Sequence, residues 1–147
     1  MNKGMIILGA LLLVGLGVAF EPWPSYINYQ VIKINCMYNF ANHMAGEIDG
    51  EFLDCDADVC PGEEIYGDMK DAGEPLEGDL MDGQRTGDYR AFQSDYVQII
   101  SLFNQMRVLW LQSGFMWALD GGDMGELMGA YMQDQRNLAY CFTGRDV

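Results

Sequence analysis

Residues 88–119 read DYRAFQSDYVQIISLFNQMRVLWLQSGFMWAL. Tyr89, Phe92, Tyr96, Ile99, Phe103, Met106 and Trp110 follow one another at alternating steps of three and four, and Trp117 falls one heptad beyond Trp110. Apolar side chains at that spacing line one face of an α-helix. The pattern predicts a helix from Asp88 to Leu119, roughly 48 Å long at about 1.5 Å per residue. The run Asp120-Gly121-Gly122-Asp123 then supplies glycines to stop it, and Asp123 with Glu126 three residues on is an acidic capping box. A second arm to about Cys141 completes an αα-hairpin.

The long helix is apolar on nearly every side from Val97 to Leu119. Gln98, Ser101, Gln105 and Gln112 make a narrow polar strip, and Arg107 is the sole charge. A helix of this kind has to be covered all round. Two shorter neighbours of about 30 Å each do not sheathe it, so a second protein or another copy of the chain is the expected cover. Phe103, Met106, Trp110, Phe115 and Trp117 are the expected interface anchors, being of the types enriched at interface centres. A second membrane span is the rival reading, and Arg107 with the amides weighs against it.

Upstream, Pro22 and Pro24 interrupt the backbone, and a helix is expected from Ser25 to about Ala45. Its stripe is Ile27, Val31, Ile34, Tyr38, Ala41 and Ala45. The β-branched stretch from Tyr26 to Ile34 leaves a strand as the alternative there.

At the amino terminus, Lys3 precedes seventeen residues, Gly4 to Phe20, without a polar or charged side chain. A cation ahead of an apolar run directs the downstream chain across the membrane. The run spans roughly 25 Å, short for a spanning helix and long for a signal-peptide core. Trp23, Tyr26 and Tyr29 suit an interfacial belt and favour retention as a signal anchor, whereas Gly17-Val18-Ala19 suits cleavage after Ala19 and secretion. The opening also resembles a prepilin, with Lys3-Gly4 as the processing site and Met5 heading an assembly helix, although the glutamate usual near the fifth mature position is missing. Residues 1–20 are therefore read as signal anchor or signal peptide, and 21–147 as one extracytoplasmic helical domain.

Four cysteines, Cys36, Cys55, Cys60 and Cys141, fit an exported chain with two disulfides. Cys55–Cys60 as a local staple and Cys36–Cys141 as a long tie are the favoured pairs. The chain carries a net charge of −14, and −13 of it falls between Gly46 and Asp88, where fifteen acids stand against Lys70 and Arg85 among eight glycines. This segment, 46–88, is expected to be an acidic, glycine-rich loop insert. Such acidity repels phosphate and excludes nucleic acid as a partner.

Candidate chemistry is sparse. Asp54, Asp56 and Asp58, followed by Glu63 and Glu64, resemble the opening of an EF-hand or thrombospondin-type calcium loop. Val59 stands where the turn glycine belongs and Ile65 where the closing glutamate belongs, so calcium is the alternative expectation beside a solvated acidic loop. Met124, Met128 and Met132 recur every fourth residue and, with Met106 and Met116, can be written as a Cu(I) site or as core filler; the second is favoured. His43, the one histidine, is expected at the surface. Neither a nucleophile elbow nor a phosphate-binding loop is present, which argues against an enzyme.

The expectation is an all-α protein: an N-terminal hydrophobic helix, then a small extracytoplasmic helical bundle with an acidic loop insert and a C-terminal αα-hairpin. Its expected role is structural: a membrane-anchored subunit of an envelope, filament, virion or membrane complex, associating with itself or with another envelope protein. No family resemblance covers the whole chain.

Overall fold

The computed structural model describes residues 24–143. The apolar run 4–20, with its anchor, signal-peptide and prepilin readings, lies outside the described residues. Within them, 86% of residues are helical and no strand occurs, which removes the strand alternative for Tyr26 to Ile34. The elements in chain order are α1 (Pro24–Gly46), a π-helical segment (Glu47–Phe52), α2 (Pro61–Gly73), α3 (Leu76–Thr86), α4 (Arg90–Leu119) and α5 (Met124–Thr143). None of these helices is long and apolar enough to cross a membrane, so α4 is not a second span.

Helix α4 is the centre of the fold, packed by α1, α2, α3, α5 and the π-segment. Phe92, Ile99, Phe103, Met106 and Trp110 are buried along one face, as the three-and-four spacing requires. From α1 they meet Ile27, Ile34, Met37 and Ala41, and Leu127 and Leu138 of α5 join the same cluster. Gln30 of α1 is a polar exception at 1% exposure. It is satisfied by a reciprocal amide pair: Gln30 Nε2 donates to Gln93 Oε1 at 2.8 Å and Gln93 Nε2 to Gln30 Oε1 at 2.7 Å. Such a pair favours one register of α1 against α4, because a slip leaves the buried Gln30 amide unsatisfied.

The acidic segment corrects the loop expectation. Residues 46–88 hold the π-segment, α2 and α3. Composition concealed a helical stripe in which Ile65, Met69, Ala72, Leu76 and Leu80 recur every three or four residues and turn inward. Met69 is fully buried, while Glu63, Glu64, Asp68 and Asp71 stand in solvent, where water screens their repulsion. Pro61 opens α2 at a position needing no backbone donor, and Glu63 and Glu64 suit the positive end of the helix dipole. A glycine is required at Gly62, since a Cβ there would meet the Cα and carbonyl oxygen of Ala45 at 2.9 Å. The backbones of α1 and α2 therefore cross in direct contact.

The structure joins Cys36 to Cys141 and Cys55 to Cys60, each with Cα atoms 6.0 Å apart, and these are the pairs favoured from the sequence. The long bridge links α1 to α5, and the pairing of Cys36 with Cys141 and the approach of His43 to Asp134 set the two helices antiparallel. In the expected αα-hairpin of α4 and α5, Asp123 Oδ1 accepts the N–H groups of Gly125 at 2.8 Å and Glu126 at 3.3 Å, capping the start of α5.

Candidate functional site

The five expected interface anchors separate into two groups. Phe103, Met106 and Trp110 are 2%, 0% and 3% exposed and belong to the chain's own core, so they are corrected from interface to core residues. The reason is the order found in the acidic segment: its helices and the π-segment supply the cover that α4 lacked in the sequence reading. Phe115 is exposed and Trp117 half-buried.

What α4 leaves uncovered lies towards its carboxyl end. Phe52, Leu53, Met116, Trp117 and Leu119, with the turn Asp120–Gly122, line an open cleft of about 820 Å³. Met116 is 70% and Leu119 69% exposed, unusual values for large apolar side chains that share one depression. Aromatic contacts build the floor: the Phe52 ring lies 5.5 Å from Trp117, which also lines the cleft, and 5.5 Å from the buried Trp110 behind it. Gly114 sits tight against Leu127 and Phe52, so the backbone of α4 is held close to both.

A second constellation lies on the antiparallel arms. His43 near the end of α1, Glu47 at the start of the π-segment and Asp134 of α5 each offer a ligand atom, and the three lie within 4.8 Å of one another. His43 Nε2 is 2.9 Å from Glu47 Oε1, one helical turn along. The indole N–H of Trp110 donates to the same Oε1 at 3.3 Å. Burial raises the Glu47 carboxyl above its ordinary value; Asp134 and Glu51 add to that, while His43 and the indole oppose it. Burial likewise raises Asp134, with His43 opposing.

This set does not coincide with the acidic loop. Asp54, Asp56, Asp58, Glu63 and Glu64 are all exposed, and none belongs to the one group of three such ligands that lies close together among the described residues. Asp54 has φ of 44°, a turn conformation that aspartate tolerates. The methionines diverge as well: Met106 is buried in the core, whereas Met116, Met128 and Met132 are exposed. Sequence reading placed His43 at the surface and missed its partners. The signal was available in the disulfide register: His43 follows Cys36 by one heptad and Asp134 precedes Cys141 by one heptad, which antiparallel helices bring face to face.

Comparison of the chain with protein-family models, with curated proteins and with solved structures finds no match.

Proposed function

We propose that the protein is a non-enzymatic extracytoplasmic assembly subunit, anchored by its apolar amino-terminal run, whose helical domain associates with a second copy or another envelope protein. The observation that carries this reading is the cleft lined by Leu53, Met116, Trp117 and Leu119. Its exposed apolar side chains sit on an aromatic floor, which suits a partner's apolar anchor. The two disulfides and the run from Gly4 to Phe20 support the extracytoplasmic address. The interface is thereby moved from the middle of the long helix to its carboxyl end.

The test is the mass of the full chain in mild detergent, measured by light scattering over a hundredfold range of concentration and in the presence of envelope extract. The expected result is a dimer or larger complex that Met116→Gln with Leu119→Gln reduces to monomer without changing the circular dichroism. A chain that remains monomeric and unpartnered throughout overturns the proposal, and so does a complex indifferent to both substitutions.

A further inference from the structure

We infer that His43, Glu47 and Asp134 form a binding site for a divalent transition metal of the zinc type, which clamps α5 to α1. The inference is independent of the assembly reading, since none of the three residues lines the apolar cleft. The geometry is close to what zinc needs. Bonds of about 2.0–2.1 Å in a tetrahedron set ligand atoms about 3.3 Å apart, and here the three atoms lie within 4.8 Å; the 2.9 Å contact of His43 with Glu47 is a hydrogen bond whose proton the metal displaces to solvent. Adjustment of the Asp134 side chain closes the set.

The donor types select the ion. One imidazole nitrogen and two carboxylates suit zinc or a neighbouring first-row cation, whereas calcium takes six to eight oxygens and the site offers no such cage. Thiolates do not compete, because no cysteine is free among the described residues. Three protein ligands leave a fourth position for water or for a group from a partner.

The electrostatics favour a cation as well. Two partly buried carboxylates face each other here, and Arg107, which lines the same small cavity as Asp134, donates instead to Gln135 at 2.9 Å. The indole N–H of Trp110 orients Glu47 in the manner of an outer-shell partner. Glu47 also begins a π-helical segment, a widened turn that recurs at ligand sites. Finally, the cluster stands one heptad from the Cys36–Cys141 bridge on both helices, so metal and disulfide would fasten the same pair of arms at two levels.

The experiment uses the full chain in mild detergent, stripped with chelator, dialysed against zinc chloride and analysed for bound metal, with calorimetry and melting in parallel. One tightly held zinc per chain and a raised melting temperature are expected. Cobalt in its place should give the intense visible absorption of a tetrahedral site. Asp134→Asn and His43→Gln should each abolish the tight equivalent, and Trp110→Phe should weaken it about 10- to 100-fold. A triple replacement of Asp54, Asp56 and Asp58 by asparagine should leave it intact. A folded wild-type chain that retains no zinc overturns the inference whatever the variants do. Binding lost in the triple variant but kept in Asp134→Asn assigns the metal to the acidic loop and overturns it equally.

Discussion

Asp49 Oδ1 accepts the backbone N–H of Gly62 at 2.8 Å, and Asp49 Oδ2 accepts that of Glu63 at the same distance. The π-segment thus caps α2 from across the Cys55–Cys60 loop, doing for this helix what its own N-cap residue, Cys60, does not. Asp49→Ala removes the acceptor for two N–H groups at once and is expected to cost about 1–2 kcal/mol, with denaturant unfolding as the readout. Asp49→Asn should cost less, since one amide oxygen remains.

The division of the aromatic residues between core and surface is directly measurable. Trp110 packs edge-on to Phe52, stacks on Tyr131 at 6.1 Å and is 3% exposed. Trp110→Ala is expected to destabilise the fold by about 3–5 kcal/mol. Phe115→Ala, at 53% exposure, should fall within about 0.5 kcal/mol of wild type in the monomer. Comparable losses from both would contradict the placement of α4.

The two disulfides should contribute unequally. Cys36–Cys141 closes a loop of 105 residues' separation and Cys55–Cys60 one of five. In the loop-entropy description the first is worth up to about 4.7 kcal/mol and the second about 2 kcal/mol. Thermal melting of the two paired cysteine-to-alanine variants should rank them in that order.

Acid should stabilise one contact. Asp95 of α4 lies within hydrogen-bonding reach of Asp79 of α3, and its Oδ2 is buried with no donor directed at it. Burial, then the hydrogen bond and charge of Asp79, pushes the Asp95 carboxyl up to about 6 from 3.8. Between those values the folded state holds a proton that the unfolded chain releases. This pair's contribution is therefore most favourable below about pH 4 and is lost as pH rises through 6. Asp95→Asn, which carries its own donor, should raise the melting temperature at pH 7 and flatten its change between pH 4 and 7.

Legibility in the sequence followed the strength of the helical rhythm. Tyr89 to Trp110 and Ile27 to Ala45 announced α4 and α1 because large apolar residues recur there without interruption. Ile65, Met69, Ala72, Leu76 and Leu80 keep the same rhythm, but between them stand so many acids and glycines that average composition pointed to a loop. That misreading displaced the interface, since Phe103, Met106 and Trp110 looked uncovered only while α2, α3 and the π-segment had no place. The His43 cluster was hidden for another reason: Asp134 lies far from Glu47 in sequence, and only the pairing of Cys36 with Cys141 sets the register that unites them.

The great separation of Cys36 from Cys141 also orders the chemistry of maturation. Cys55 and Cys60 both lie closer to Cys36 in sequence than Cys141 does, so either is the easier mispairing for a Cys36 thiol before the last cysteine is in place. The five-residue loop is the shorter to close, and oxidation of Cys55 and Cys60 to their disulfide, with an external thiol oxidant taking the two electrons, leaves Cys141 as the remaining free-thiol partner for Cys36. A Cys60→Ala chain is accordingly expected to accumulate a Cys36–Cys55 species detectable by peptide mapping. On that account the small bridge serves as a proofreader, reserving the first cysteine for the last.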